Sequence, residues 1–127
     1  MVREPIMIVL PWIPPAGLRG NSTVHRAVKA ALRKNMRTSA FQSTLDVDGP
    51  VVMPFEKVRV TYEYHNYRPI DSDNFAIGMK SWVDGYLVDG GKVADDDPEH
   101  VIYGTHTWVR CKKREKRTIV TLEEVSP

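Results

Sequence analysis

Hydrophobic and polar residues follow two different periods along the chain, and these periods predict strands and helices. The apolar run from Ile6 to Leu10, which Pro11 closes, predicts a buried strand that ends in a loop. Residues 58–64 alternate apolar and polar side chains at period two, as in a half-exposed strand. Two more strands are predicted near residues 101–109 and 118–122, and they flank a basic hairpin over residues 110–117.

The first predicted helix carries an apolar residue at every fourth position, which makes one buried stripe: Val24, Val28, Leu32 and Met36. A loop from Pro11 to Asn21 leads into this helix. Its N-cap is expected to be one of three residues whose side chains accept hydrogen bonds from free backbone amides: Asn21, Ser22 and Thr23. The helix is expected to fray over residues 38–44, before a turn at residues 48–50.

The second predicted helix covers residues 74–88 and is closed by Gly90 and Gly91. At about 100° per residue, one narrow sector of this helix holds Asp73, Ile77, Lys80 and Asp84. The opposite side holds the large apolar residues Phe75, Met79, Trp82, Val83 and Tyr86. One face is therefore predicted to be core, and the other carries groups that are able to do chemistry.

Charge is segregated along the chain although the total is close to neutral. The 127 residues include 18 Lys or Arg and 16 Asp or Glu, for a formal net charge of +2. Residues 1–40 hold seven basic groups against Glu4, residues 81–100 hold six acidic groups against Lys92, and residues 101–127 hold six basic groups against three acidic ones. Basic flanks therefore surround an acidic centre. A composition of 42% hydrophobic and 27% charged residues indicates a globular chain with one domain.

Cysteine and proline content exclude several classes of protein. The single cysteine, Cys111, excludes an internal disulfide framework and a zinc site of several thiolates, so a reducing cytosol is the expected compartment. The apolar run from Ile6 to Leu18 is interrupted by three prolines and lacks a small-residue cleavage site. We therefore expect neither a transmembrane helix nor a signal peptide.

Two acidic clusters lie on either side of the second predicted helix. Asp71 and Asp73 are close together whether residues 71–73 are extended or begin the helix, and like charges this close are unfavourable without a cation between them. Carboxylate oxygens suit Mg²⁺ or Mn²⁺. The second cluster, Asp95 to Asp97, could fold back to complete a metal site. The alternative interpretation is that the first cluster caps the helix and the second forms a solvated turn.

Other candidate chemistries have less support from the residues. An EF-hand loop that starts at Asp71 would place Trp82 where a bidentate glutamate is required. Cys111 lies among basic residues that could lower its pKa, but no base accompanies it, so we expect an ordinary strand residue. The histidines lack the spacing of metal ligands and are expected to be structural or exposed: His25, His65, His100 and His106.

Two basic segments could contact nucleic-acid phosphates. They are the first helix, with Arg26, Lys29, Arg33, Lys34 and Arg37, and the hairpin, with Lys112, Lys113 and Arg114. A metal held by carboxylates suits phosphodiester hydrolysis because it polarises the phosphate and activates water. A lysine or arginine can offset charge on the leaving oxygen. Basic faces also occur on proteins that never bind nucleic acid. These segments therefore support nucleic-acid binding mainly because they lie on both sides of the acidic centre in sequence.

In these residues the chain resembles the RusA-type Holliday-junction resolvases, small Mg²⁺-dependent endonucleases of bacteria and phages. The matching features run in the family's order over most of the chain: the strand and loop at residues 10–15, the Arg68 to Asn74 stretch with its Asp-x-Asp-Asn, the helix with Lys80 and Asp84, and Asp95-Asp96 before Val101. The resemblance implies a single α/β (α+β) domain over residues 1–127, with a mixed sheet and two main helices. It also implies a homodimer.

Carried over by position, the resemblance makes Asp71, Asp73 and Asp96 the essential carboxylates of a Mg²⁺ or Mn²⁺ site, with Asp95, Asp84 and Asn74 in support. Lys80 would be the catalytic cation near the scissile phosphate, and Arg68 would join the basic residues that contact DNA. The interval from Asn74 to Lys80 is a few residues longer than is usual in the family, but Lys80 keeps the helix face of Asp73. The triple Asp95 to Asp97 leaves the identity of its ligand open.

The leading hypothesis is a structure-selective endodeoxyribonuclease that resolves four-way DNA junctions by paired symmetric nicks in recombination and repair. A metal-dependent nuclease for other branched DNA would share the site and differ only in substrate. A DNA-binding module with structural carboxylates and no reaction is the alternative from a different class. The expected location is the cytoplasm of a bacterium, or of a phage's bacterial host.

Overall fold

A computed structural model describes residues 3–19, 23–45 and 52–126. Its main elements in chain order are β1 (Ile6–Leu10), α1 (Arg26–Thr44), β2 (Val58–Asn66), α2 (Ser72–Val83), β3 (Val101–Arg110) and β4 (Arg117–Glu124). Short 3₁₀ turns cover Ala16–Leu18 and Lys113–Glu115, and a π-helix over Asp84–Asp89 continues α2. The fold is α+β, with a mixed sheet and two main helices, as predicted.

Contacts within the chain group its residues into two compact units. The sheet unit consists of Met1–Ile13, Phe55–Ile70 and Asp97–Pro127. The helical unit consists of Pro14–Pro54 and Asp71–Asp96. A single domain over residues 1–127 stays a prediction.

The sheet unit is built on four strands in the order β1-β4-β2-β3. β4 runs antiparallel to both β1 and β2, whereas β2 and β3 are parallel. Val60 of β2 lies opposite Leu122 of β4, and Tyr62 lies opposite Val120, and all four side chains are buried on one face of the sheet. The period-two pattern predicted for residues 58–64 is therefore confirmed, and β2 continues to Asn66.

The basic segment over residues 110–117 is not a β-hairpin, contrary to the prediction. β2 lies between β3 and β4, because Asn66 pairs with Arg110 on one side while His65 pairs with Arg117 on the other. The segment therefore passes across the end of β2, and a 3₁₀ turn at its centre replaces a tight two-strand turn. β3 and β4 are adjacent in sequence and were expected to pair with each other. Instead β2 lies between them, parallel to β3 and antiparallel to β4.

α1 begins at Arg26, two residues later than predicted, and it remains helical to Thr44. Its N-cap is His25, whose Nδ1 accepts a hydrogen bond of 3.1 Å from the Ala27 amide, so Thr23 is not the cap. Asn21, Ser22 and the predicted turn at residues 48–50 lie outside the described residues. The helix does not fray over residues 38–44, where hydroxyl groups of Ser43 and Thr44 donate to carbonyl oxygens of the preceding turn.

The apolar stripe of α1 is only partly buried, which corrects the prediction of a continuous buried face. Val24 precedes the helix and is 38% exposed, and Val28 is 51% exposed, whereas Leu32 and Met36 are half-buried and Ala40 is fully buried. Within the helical unit, the backbone of the π-helix approaches α1 at Gly85, where any Cβ atom would collide with the carbonyl oxygen of Arg37. α1 is therefore packed more closely in its second half than in its first half.

α2 buries the face that the sequence predicts. Phe75, Met79, Trp82 and Val83 are 0–1% exposed, and the indole ring of Trp82 stacks on the ring of Tyr86, with centroids 5.1 Å apart. The predicted continuous α-helix to residue 88 instead changes to π-helical bonding at Asp84. The predicted glycine closure is confirmed, since Gly91 has a φ of 69° that other residues rarely adopt.

Candidate active site

The exposed face of α2 carries the candidate catalytic groups within the helical unit. Asp73 lies in the first turn, Lys80 in the last turn, and Ile77 between them is 51% exposed. The helical wheel of the sequence is therefore confirmed on both its faces. A carboxylate at the N-terminus and an ammonium near the C-terminus also complement the partial charges of the helix ends.

Asp71 is the N-cap of α2, so the capping interpretation holds for this residue. Its Oδ1 accepts a hydrogen bond of 3.0 Å from the Asp73 amide, and its carbonyl accepts one of 2.9 Å from the Phe75 amide. Both carboxylates are exposed at the same helix end. The cap uses one oxygen of Asp71, which leaves the other oxygen and the whole Asp73 carboxylate to face solvent or a cation. Asn74, the supporting candidate, follows directly and is half-buried.

Lys80 joins two carboxylates that are far apart in sequence. Its Nζ donates to Asp84 Oδ1 at 3.1 Å and also donates to Asp96 Oδ2 in a shorter contact. The pair with Asp84 has the i, i+4 spacing that places two side chains on one helix face. Asp96 thus reaches the helix face of Lys80, while the prediction that the second acidic cluster completes a metal site with Asp71 and Asp73 stays a prediction.

The π-helix adds an arginine from α1 to this group of charges. Arg37 donates to both carboxylate oxygens of Asp89, with distances of 2.5 Å from Nε and 2.8 Å from Nη2, and its Nη1 lies 4.0 Å from Asp84 Oδ2. The hydrogen bond with Arg37 lowers the pKa of Asp89, and the same bond raises the pKa of Arg37. Charges of alternating sign therefore run from Asp89 through Arg37, Asp84 and Lys80 to Asp96.

The three adjacent aspartates have separate roles. Asp95 Oδ1 accepts a hydrogen bond of 2.7 Å from the Asp96 amide, which orients the Asp96 residue within the helical unit. Asp97 belongs to the sheet unit, where its Oδ1 accepts hydrogen bonds from the amides of Glu99 and His100. A hydrogen bond with His100 lowers the pKa of Asp97. Asp97 is thus a turn residue, and Asp96 is the member of the triple that meets Lys80.

The donor chemistry of this site suits a hard divalent cation, because all candidate ligands are carboxylates. They form two groups: Asp71 with Asp73 at the start of α2, and Asp84 with Asp96 around Lys80. In residues 3–19, 23–45 and 52–126, no three His, Cys, Asp or Glu side chains converge into a group that could hold a metal ion. A metal bound to Asp96 would share this carboxylate with Lys80 or displace the ammonium. A Mg²⁺ or Mn²⁺ site therefore stays a proposal.

The predicted basic residues of α1 are displayed along one side of the helix. At about 100° per residue, Arg26, Lys29, Arg33 and Arg37 fall within a quarter of the helix circumference, with Lys34 beside them. Arg26, Arg33 and Lys34 are exposed and Lys29 is half-buried. Arg37 differs from the others because Asp89 already holds its guanidinium group. Lys34 and Arg37 also line a shallow cavity of about 310 Å³ with Thr38, Phe41 and Asp89.

The basic segment of the sheet unit converges on an aromatic ring, that of Tyr67, which the sequence patterns did not predict as part of a site. Arg68, Lys113 and Lys116 lie with their charged atoms 5.0, 4.9 and 5.7 Å from the ring centroid of Tyr67. A hydrogen bond with Arg68 and the charges of the two lysines lower the pKa of the Tyr67 phenol. The signal available in the sequence was an aromatic residue directly before Arg68 at the end of a strand. The predicted DNA contacts Lys112 and Arg114, which flank Lys113 in sequence, are exposed.

The remaining candidates have structural positions. His65 Nε2 lies 2.9 Å from Glu63 Oε2, and the ring of His106 lies beside Tyr62 with centroids 5.3 Å apart. Cys111 lies just beyond β3, with its amide donating to the Asn66 carbonyl and its Sγ 3.2 Å from the carbonyl of Lys112. The contacts of these two histidines agree with the expectation that they are structural or exposed, whereas the expectation that Cys111 is a strand residue is wrong, because β3 ends at Arg110.

Two comparisons with known proteins add no relative to this picture. A scan against protein-family models finds no match for the chain, and no curated protein matches it. Within the described part of the chain, none of the helices has both the length and the apolar character that crossing a membrane requires.

Proposed function

We propose that the chain is a Mg²⁺-dependent endodeoxyribonuclease that resolves four-way DNA junctions by paired symmetric nicks in recombination and repair. The observation that carries this proposal is Lys80 between Asp84 and Asp96, on the same exposed helix face as Asp73. Hydrolysis of a phosphodiester needs carboxylates for a cation and a positive charge near the leaving oxygen. The resemblance to RusA-type resolvases in residue order supports the same activity.

Each residue of the site has a stated role in this proposal. Asp71, Asp73 and Asp96 would hold Mg²⁺ or Mn²⁺, with Asp96 sharing its carboxylate between the ion and Lys80 and with Asp95 orienting Asp96 through its amide. The ion, when bound, would polarise the phosphate and activate water. Lys80 would donate to a phosphate oxygen as charge develops there, since its ammonium is exposed and shared between two carboxylates that hold it in place.

The substrate follows from charge and symmetry. Exposed cations on α1 and on the basic segment of the sheet unit suit a polyanion, and they would make phosphate contacts that carry no sequence information. A four-way junction has approximate two-fold symmetry, which two copies of a small chain match most simply. We propose a homodimer in the cytoplasm of a bacterium, or of a phage's host.

A nicking assay on a labelled synthetic junction tests the proposal. We expect wild-type protein to nick opposing strands with Mg²⁺ or Mn²⁺, and we expect Asp73→Asn to lose nicking while junction binding in Ca²⁺ remains. Glu56→Gln is the matched control, because Glu56 is an exposed carboxylate outside the site. Nicking that survives Asp73→Asn would overturn the assignment of the site. Competition among junction, flap and linear duplex separates junction resolution from cleavage of other branched DNA.

One observation favours a second function, a DNA-binding module without a reaction. Asp71 caps a helix and Asp96 is neutralised by Lys80, so both carboxylates already have structural partners. In that case wild-type protein would bind the junction and would nick it with neither Mg²⁺ nor Mn²⁺. The same assay therefore decides between an enzyme and a binding module.

A further inference from the structure

Three cations of the sheet unit converge on Tyr67, and we propose that this Tyr67 cluster is a binding site for a single backbone phosphate of DNA. The Tyr67 cluster consists of Tyr67, Arg68, Lys113 and Lys116. The charged atoms of the three basic residues lie 4.9–5.7 Å from the centre of one phenol ring. The inference rests on the proposed function for its ligand class, and it adds Tyr67 and Lys116 as residues that shape the contact.

The fold holds the two halves of the cluster together through Asn66. Its Nδ2 donates to the Arg68 carbonyl at 3.0 Å, which fixes the turn that carries Tyr67 and Arg68. Its own carbonyl accepts hydrogen bonds from Trp108 Nε1 at 3.1 Å and from the Cys111 amide at 3.2 Å, which anchors the segment that leads to Lys113. Asn66 is 4% exposed. The cluster is therefore positioned by a buried residue and does not depend on chance contact of surface side chains.

The positive charges of the cluster are left without carboxylate partners. Among the ion pairs of the described residues, none includes Arg68, Lys113 or Lys116. Glu115, the acidic residue closest in sequence to both lysines, accepts a hydrogen bond from the Lys112 amide as part of the 3₁₀ turn. Three like charges around one ring repel each other, and an anion between them would relieve this repulsion.

Tyr67 explains why the cations stay together without an anion. The negative face of an aromatic ring attracts ammonium and guanidinium groups, and this attraction offsets part of their repulsion. The ring thus gathers charges that would otherwise spread into solvent. Removal of the ring should weaken phosphate binding even when every cation remains, and this outcome separates a built cluster from a general basic surface.

Salt-dependent binding of a labelled four-way DNA junction, measured in Ca²⁺ so that no turnover is needed, tests the cluster. The variants are Lys113→Ala, Lys116→Ala, the double variant, Tyr67→Leu and Tyr67→Phe, with Lys57→Ala as the control at the opposite end of β2. Log affinity falls with log salt by about 0.9 per phosphate contacted. We expect the double variant to lose about 0.9 from this slope, and each single variant to lose most of that amount.

Tyr67→Leu should weaken binding about threefold or more, whereas Tyr67→Phe, which keeps the ring, should stay within about twofold of wild type. A loss of about 1.8 from the slope in the double variant would mean two separate phosphate contacts and would overturn the shared site. Binding unchanged in Tyr67→Leu, variants that match Lys57→Ala, or a wild type that does not bind the junction would also overturn it. Junction binding that depends on the cluster without nicking in Mg²⁺ would refute only the proposed function.

Discussion

Arg37 and Asp89 are 52 residues apart in sequence and are joined by two parallel hydrogen bonds within the helical unit. The guanidinium of α1 thereby meets a carboxylate at the end of the π-helix. The same arginine also lies near Asp84, which is bonded to Lys80. A residue that the sequence places in a DNA-contacting stripe is thus tied to the element that carries the candidate active site.

Substitution of Asp89 by asparagine should lower stability slightly and change its dependence on pH. The bond to Arg37 lowers the pKa of Asp89 in the folded protein. The stabilisation is therefore fully present above the pKa of the unfolded chain, about 3.9, and is lost as the pH falls through the lower, folded value. We expect a cost of no more than about 1 kcal/mol near neutral pH, because solvent screens exposed ion pairs. Urea denaturation of wild type and Asp89→Asn at several pH values measures the difference, which should vanish in acid. A difference that grows in acid would contradict the assignment.

Addition of a methyl group at Gly85 should disrupt the packing of the π-helix on α1. An alanine Cβ would collide with the carbonyl oxygen of Arg37, and backbone atoms can yield only by moving a helix. We expect Gly85→Ala to cost about 1–3 kcal/mol. Gly91→Ala is the comparison for backbone strain without a collision. Its φ of 69° strains alanine, but no atom lies within 4 Å of the new Cβ. Thermal denaturation of both variants checks the prediction, and an unchanged melting temperature for Gly85→Ala would refute the close approach.

Loss of the ammonium at Lys80 should reduce nicking much more than binding. Lys80→Gln leaves Asp84 and Asp96 without the cation that joins them, and it removes the charge proposed to act on the phosphate. We expect the nicking rate to fall about 100-fold or more, with junction affinity in Ca²⁺ changed far less. Lys80→Arg should recover part of the rate, while Lys57→Gln should behave as wild type. Equal losses of rate and affinity would indicate a residue that only binds DNA.

The phenol of Tyr67 should titrate below its ordinary pKa, and Arg68 should account for most of the shift. The hydrogen bond with Arg68 is the largest cause of the lowered pKa. The charges of Arg68, Lys113 and Lys116 lower it further, in that order. We expect Arg68→Gln to raise the pKa of Tyr67 toward its usual value of about 10, and Lys116→Gln to raise it less. Ultraviolet absorbance of the phenolate against pH measures this, with Tyr67→Phe identifying the signal. The reverse order of the two variants would count against the cluster geometry.

Local patterns predicted the elements whose faces differ most in polarity. The wheel of α2 separated Phe75 and Trp82 from Lys80 because a helix that buries one side must keep its charges on the other. The alternation along β2 was equally informative, since it has one face on the core. The family resemblance, not a local pattern, put Lys80 and Asp96 in one site; the structure joins them in an ion pair, and their roles stay predictions.

Long-range choices could not be predicted from these patterns. Nothing local to residues 110–117 indicates that β2 will lie between β3 and β4, because strand order depends on how the whole sheet pairs. His25 became the N-cap in place of a hydroxyl or amide residue, since a histidine ring nitrogen can accept the same hydrogen bond. The Tyr67 cluster escaped detection because its lysines lie more than forty residues from the ring in sequence.

The strand order also constrains how the chain can fold during synthesis. β1 is synthesised before the other strands of the sheet, yet its neighbour in the sheet is β4, more than one hundred residues later. Until that late strand emerges, β1 and the adjoining edge of β2 have no strand between them. Assembly of the sheet must therefore wait until β4 has been synthesised, as expected for a fold dominated by non-local pairing. Until then, the backbone edges of β1 and β2 that bond to β4 in the folded sheet lack their hydrogen-bonding partner, and unpaired strand edges are prone to aggregation.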